Sequence, residues 1–273
     1  MPKVSIAVQS YKNPEMLSLC LKSVQKYCAD FDYEAIVADG ETGEDTKMMM
    51  KEDFPDVIFI PHEENVGFGK MVNACIEKAT GEYIFFINFD TVLEKDTVGD
   101  FIKFMDAHPK VGLAGPKQKN FNGKYENTRF RFYEPQTILY RRTFLKNFEF
   151  AKKHLANFEM EDIRKDEPYP VDWVIGSAMF VRKSAMEKVG KMDNIFFMYM
   201  EDVDWCRRFW EKGFIVCYNP QITMFHFYGK GSAKGGLKGL LFNKLTWVHI
   251  SSGIKYFKKY KNRPAPKTTK TLY

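Results

Sequence analysis

The 273 residues carry 41 Lys and Arg against 35 Asp and Glu, a formal net charge of +6, with 45% hydrophobic, 28% charged and 16% aromatic side chains. That balance excludes disorder throughout and is too modest to argue for nucleic acid, while it suits acidic ligands or an anionic lipid surface. No stretch approaches the roughly 20 apolar residues of a membrane span. The five cysteines show no C-x-x-C spacing and the N-terminus enters a strand at once. The expectation is one large domain with a small appendage, in a reducing cytosolic compartment or peripheral on the inner face of the cell membrane.

In chain order, the first half alternates short apolar runs with helical patterns. Residues 4–9, VSIAVQ, read as a buried strand. Asn13 then caps a helix with Pro14 in its first position, and Leu17, Leu21, Val24 and Cys28 recur on one face. YEAIVAD is a second strand ending at Asp39, followed by a polar loop and a short helix through the methionine run. VIFIP is a third strand, GKMVNACIEKAT a helix, and YIFFIN a fourth strand ending at Asn88. Alternation at this spacing implies right-handed crossovers and an α/β fold, a mixed, mainly parallel sheet with helices on both faces. Ligands of such sheets sit at the carboxyl ends of the strands, so Ser10, Tyr11, Asp39 and Asn88 to Asp90 are expected along one edge.

The regularity lapses over about 117–170, rich in Lys, Arg, Phe and Tyr, which reads as an irregular insertion covering the site. It resumes with VIGSAMFVR as a strand, SAMEKVG as a helix, and FIVCY as a last strand ended by Asn219 and Pro220. From 237 to about 261 a helix is expected with Leu237, Leu241, Leu245 and Val248 on one face, before a basic, Pro-punctuated tail. This divides the chain into a main domain, 1–235, and an amphipathic helix with its tail, 236–273.

The residues with chemical potential lie at the ends of these elements. MYMEDVDWCRR, 198–208, places Glu201, Asp202 and Asp204 within four positions, directly after the apolar run NIFFMYM. Acids in a first helical turn complement the helix dipole, yet a merely solvated face has no need of the aromatics beside them. A sheltered carboxylate acting as a base is therefore the second reading. Asp90, just past an apolar strand, is either a turn former or an oxygen ligand for a divalent cation that neutralises a diphosphate. Gly67 and Gly69 flank Phe68 at a helix start, where backbone N–H groups can approach phosphate. Asp39 offers acceptors to a base or ribose, Tyr11 a ring for stacking, and Trp173 an apolar platform for a sugar ring. His226 stands among aromatics, packed in a core or, ahead of a Gly-rich loop carrying Lys230 and Lys234, ligating a metal.

The succession of QSY, Asp39, NVGFGKMVNAC, NFD, GSAMFVR with its acidic sequel, and NPQITMFHFYGKGS resembles the family 2 glycosyltransferases over 4–232, and among them the bacterial rhamnosyltransferase-like subgroup. The resemblance implies a GT-A fold, a nucleoside-diphosphate sugar donor such as dTDP-rhamnose or a UDP-sugar, a divalent cation (Mn²⁺ or Mg²⁺), and inversion at the anomeric carbon. It implies Ser10, Tyr11 and Asp39 at the nucleobase and ribose. Lys70, where many relatives carry Arg, would face the diphosphate together with Lys230. Asp90 would be the metal-binding end of an Asp-x-Asp signature that begins here with Asn88, joined at the metal by His226. Asp202 would be the general base with Glu201 in support, and Asp204 would bind acceptor hydroxyls or pair with Arg208. ADGETGED departs from the family's usual rhythm after Asp39 and leaves the nucleobase open.

The implied acceptor is a hydroxyl of a glycan or lipid-linked glycan in polysaccharide or cell-wall assembly. The C-terminal helix and Lys-rich tail suit an anionic membrane surface, or the helix simply packs on the domain. A sugar-nucleotide nucleotidyltransferase and a non-catalytic carbohydrate-binding module are the alternatives; no nucleic acid is expected, and the oligomeric state, a homodimer included, stays open.

Overall fold

The apolar runs of the first half become strands in a single sheet. In the computed structural model, which describes residues 2–163, 165–227 and 244–272, β1 (Val4–Tyr11), β2 (Tyr33–Gly40), β3 (Ile58–Pro61) and β4 (Tyr83–Asn88) alternate with α1 (Pro14–Cys28), α2 (Glu44–Asp53) and α3 (Phe68–Lys78). Asn13 Oδ1 accepts from the Met16 N–H, Pro14 opens α1, and Leu17, Leu21, Val24 and Cys28 are buried, so cap and stripe act as their spacing predicts. Next come β5 (Thr91–Leu93), α4 (Thr97–Ala107), β6 (Val111–Lys119), β7 (Tyr125–Glu126), β8 (Arg129–Phe130), α5 (Pro135–Arg142), a 3₁₀ turn (Phe144–Asn147) and α6 (Glu149–Phe158). The chain closes with β9 (Tyr169–Pro170), β10 (Trp173–Val174), β11 (Ala178–Arg182), α7 (Lys183–Val189), α8 (Glu201–Glu211), β12 (Ile215–His226) and α9 (Lys244–Lys259).

The main sheet runs β3-β2-β1-β4-β11-β6-β12-β5. Its first four strands are parallel, as are β6 and β12, while β11 runs antiparallel between β4 and β6, and β5 antiparallel to β12. The sheet is thus mixed and mainly parallel. Successive residues of β4 show that both faces are covered: the Phe85 ring meets Phe101 of α4 at 5.4 Å, and the Phe86 ring meets Trp205 of α8 edge-on at 5.6 Å. All five cysteines are buried and unbridged.

The second half corrects the sequence reading in four places. Residues 117–170 are not irregular, because α5 and α6 lie there. Glu134 and Thr137 form a reciprocal capping box with Pro135 at the helix start, but among its described side chains α5 buries only Thr137 and so offers no apolar stripe to detect. VIGSAMFVR is not one strand: β10 pairs with β8 in a separate two-stranded sheet, and a turn at Gly176 precedes β11. β12 does not stop at Pro220. Its pairing with β6 shifts register between Asn219 and Thr223, a bulge that takes the residue lacking an N–H out of the ladder. Finally, α9 packs through Thr246, His249, Ser252, Gly253 and Tyr256 rather than a leucine stripe, and Leu237 and Leu241 lie outside the described residues. Its partner is a loop backbone: Ser252 Oγ donates to the Met198 carbonyl at 2.8 Å and Lys255 Nζ to that of Ile195 at 2.9 Å. Among the described residues no helix is long and apolar enough to cross a membrane.

Candidate active site

Parallel register sets the carboxyl ends of the strands side by side. Ser10 pairs with Asp39 across β1 and β2, and Gln9 with Asn88 across β1 and β4. Asp39 is fully buried; its carbonyl accepts from the N–H of His62 and the hydroxyl of Thr42, but neither carboxylate oxygen has a partner, and Ser10 Oγ has none either. Buried polar atoms are normally hydrogen-bonded, so this pair presents unused capacity for the N–H or O–H groups of a ligand. Tyr11, half-exposed beside it, donates its phenol to Glu41 at 3.0 Å, and Glu41 also pairs with Lys12.

The next strands continue the row. Asn88 N–H donates to the Ser177 carbonyl at 3.0 Å, and Ser177 Oγ donates to Gln118 Oε1 at 2.9 Å. Asp90 and His226, distant in sequence, meet at Oδ1 to Nε2, 3.3 Å. They are joined because β12 pairs with β5, setting His226 opposite Thr91, and because Phe227 N–H donates to the Asp90 carbonyl at 2.7 Å. Asn88 Oδ1 and Asp90 Oδ1 are buried and make no hydrogen bond. Among the described residues no group of three His, Cys, Asp or Glu converges as a metal site. The oxygen of Asp90 and the nitrogen of His226 would nevertheless suit a divalent cation shared with a phosphate ligand.

The acidic helix faces the same row. Asp202 Oδ2 accepts from the Gly176 N–H at 3.0 Å and Oδ1 from its neighbour Val203 at 2.9 Å. Gly176 precedes Ser177, the residue that holds Asn88, so Asp202 is tied one peptide away from the edge that carries Asp90. Burial pushes the Asp202 carboxyl above the ordinary aspartate range, and the two backbone donors only partly offset it. Glu201, more deeply buried and with Oε2 unpartnered, is raised further, first by burial and then by the charge of Asp202. Tyr199 and Met200 lead in with φ of 68° and 71°, left-handed conformations costly for side chains of this size.

A family model described as Glycosyl transferase family 2 matches residues 5–190. The chain belongs to that family. Among similar proteins, an N-acetylglucosaminyl-diphospho-decaprenol L-rhamnosyltransferase of Mycobacterium tuberculosis is 26% identical over 204 residues, 70% of this chain and 65% of its own length. This chain therefore spans just under two thirds of that relative. The rhamnosyltransferase WbbL of Escherichia coli K12 is 26% identical over 204 residues, 70% of this chain and 69% of its own. Among solved structures, the Pyrobaculum calidifontis mannosyltransferase in complex with GDP-Man and Mn²⁺ matches with TM-score 0.57 and 13% identity, over 96% of this chain and 76% of that one. Staphylococcus aureus TarS 1–349 matches with TM-score 0.54 and 17% identity, over 82% and 60%. The fold is GT-A.

Within this family 2 chain, Ser10, Tyr11, Asp39, Asn88, Asp90, His226 and Asp202 gather along one edge, and Lys70 is exposed in the first turn of α3. Lys230 lies outside the described residues. Two acceptor-site expectations are corrected. Trp173 offers no free face: it is buried, stacked on Phe130 at 4.5 Å, with its indole N–H donated to the Arg131 carbonyl at 2.8 Å. Asp204 is fully buried and takes the other course left open for it, accepting from Arg208 Nε at 2.9 Å and Tyr260 at 2.8 Å and pairing with Lys259.

The Gly67–Gly69 segment also differs from its expected use. The Phe68 N–H goes to the Phe197 carbonyl at 3.0 Å, and a Cβ on Gly67 would lie 2.3 Å from that oxygen. Gly67 admits the loop before the acids, whereas a Cβ on Gly69 would come no nearer than 3.7 Å to any neighbour. The sequence reading missed Gly176, Ser177 and Gln118, although a Gly-Ser pair inside an apolar strand pattern is the usual mark of a close backbone approach.

Proposed function

We propose that this chain transfers a sugar from a nucleoside-diphosphate sugar, dTDP-rhamnose or a UDP-sugar, to a hydroxyl of a glycan or lipid-linked glycan, inverting the anomeric carbon. The observation that carries the reading is the convergence of Asp90 and His226 at 3.3 Å on the sheet edge to which Gly176 ties Asp202. The names of the mycobacterial and Escherichia coli relatives support a rhamnosyl donor, and the former supports a lipid-linked acceptor.

In this reading Asp39 and Ser10 accept the polar groups of nucleobase and ribose, with Tyr11 alongside. The acceptor oxygen bonds to the anomeric carbon as the bond from that carbon to the diphosphate oxygen breaks. The acceptor proton passes to Asp202, and the nucleoside diphosphate leaves with the electron pair. Asp202 suits proton removal because its sheltered carboxylate is more basic than a free aspartate, whose pKa is about 3.9. Glu201, raised in the same direction by burial and by the charge of Asp202, stands beside it in support. Asn88 and Lys70 face the diphosphate. Asp90 and His226 would hold a divalent cation, which would supply positive charge at the departing phosphates.

Incubation with dTDP-rhamnose and UDP-sugars, with Mn²⁺ or Mg²⁺, tests the reading. It expects free nucleoside diphosphate, with release stimulated by a lipid-linked or glycan acceptor. Pyrophosphate formed from a nucleoside triphosphate and a sugar phosphate, with no nucleoside diphosphate from any donor, would instead assign a nucleotidyltransferase.

A further inference from the structure

Away from the site, the segment 135–158 carries an apolar surface that no described element covers. Phe144, Phe148 and Phe150 are 61%, 49% and 56% exposed, and Leu139 is 50% exposed. The aromatics form one ridge: Phe144 and Phe148 stand 6.2 Å apart, Phe148 stacks on Phe150 at 5.8 Å, and Phe150 meets Tyr140 at 5.5 Å. Single exposed apolar residues are ordinary, but a contiguous ridge of them marks a surface for a partner. Local bonds hold it in place. Thr143 Oγ1 donates to the Leu139 carbonyl at 2.9 Å and accepts from the Leu145 N–H, and the Phe148 N–H donates to the Leu145 carbonyl at 3.0 Å.

Charge selects the partner. Lys146, Lys152 and Lys153 are exposed around the ridge. Over 135–158 the sequence has five Lys and Arg against one acid, Glu149, which pairs with Lys152. A second copy meeting this face about a two-fold axis would set lysines against lysines. An anionic bilayer complements both features, with aromatic rings entering the headgroup boundary and lysines meeting the lipid phosphates.

Position gives the contact a use. α5 packs on α9, where Ile138 approaches Gly253 so closely that a Cβ there would lie 2.5 Å from Ile138 Cδ1. α9 in turn holds the Met198 carbonyl through Ser252, three residues before α8 opens with Glu201 and Asp202.

We infer that the Phe144–Phe148–Phe150 ridge and its lysines dock this protein on an anionic lipid bilayer, bringing a bilayer-borne acceptor to the acidic end of the site. The docking stands alone; its service to an acceptor rests on the proposed glycosyl transfer. The experiment is co-sedimentation of the full chain with phosphatidylcholine vesicles, with and without phosphatidylglycerol. Binding is expected only with phosphatidylglycerol, falling about tenfold or more in Phe144→Ser/Phe148→Ser/Phe150→Ser, with nucleoside diphosphate binding unchanged. Lys146→Glu with Lys153→Glu, which removes no ring, is expected to lose the phosphatidylglycerol preference. Unchanged partitioning in both variants overturns the inference. So does a lipid-free dimer in sedimentation velocity that the triple substitution abolishes, since the ridge is then a self-association face. Vesicle binding without nucleoside diphosphate release from any donor would keep the docking and discard the transfer reading.

Discussion

Asp202 and Asp204 are separated by one residue in α8, yet their surroundings have little in common. Asp204 has no exposed surface and is surrounded by Arg208, Lys259 and Tyr260, with Lys259 also reaching Asp193 at 2.7 Å. Asp202 is half-buried, accepts from two backbone N–H groups, and among the described residues has no ion pair. A two-residue step turns about 200° around a helix, so one carboxylate faces the C-terminal helix and the other the sheet edge. A fully buried charge persists only when paired and hydrogen-bonded, whereas a carboxylate that must take up a proton is disabled by the same pairing. The cluster therefore holds a structural anchor, Asp204, beside an unpaired carboxylate, Asp202, to which the proposed reading gives the proton transfer.

The anchor gives the largest expected effect. Asp204→Ala removes the buried counter-charge of Arg208 and leaves Lys259 only Asp193, and is expected to cost about 3–5 kcal/mol of folding free energy in urea unfolding. Ending the chain after Gly253 removes Lys259 and Tyr260 and is expected to act in the same direction; an unchanged urea midpoint in either case breaks the comparison. At the site, Asp90→Asn is expected to lower turnover by about 3 kcal/mol of transition-state free energy, with weaker Mn²⁺ uptake in the presence of nucleoside diphosphate, and little change in stability.

A smaller, pH-dependent effect belongs to Glu201, whose carboxyl burial raises. Above about pH 4.3 the unfolded chain ionises this group first. The native state then holds more protons, and stability falls with rising pH until the raised pKa is passed. Glu201→Gln removes that fall, so between about pH 4 and neutrality its stability relative to the parent is expected to grow, at most by about 1.4 kcal/mol for each step of one in pH. A constant difference across that range contradicts the assignment. The smallest effect is expected of Trp173→Phe, about 1 kcal/mol of stability for the lost bond to Arg131, without change in the acceptor KM.

Much of the sheet could be read from sequence because its strands are continuous apolar runs and its first helix has both a cap and a stripe. The row of Ser10, Asp39 and Asn88 followed from parallel order alone. The meeting of Asp90 with His226 did not; it depends on β5 and β12 pairing across about half of the chain, and only the family resemblance pointed to it. Trp173 misled because an indole packs a core and a sugar equally well, and its N–H partner, the Arg131 carbonyl, leaves no sequence signal. The pairing of Asp204 with Arg208 was one course open from their four-residue spacing, but Lys259, from a different helix, left no sequence signal, and only the family resemblance set Asp202 apart. α5 escaped detection because, among its described side chains, only Thr137 is buried and Ile138 is half-buried against α9, so no apolar stripe marks it.

The central claim, that Asp202 takes the acceptor proton, is tested most directly by Asp202→Asn measured against the parent for both nucleoside diphosphate affinity and turnover with acceptor. The account predicts affinity and urea midpoint within error of the parent and turnover lower by about 10²-fold or more. Turnover near the parent value, with the fold intact, would contradict it.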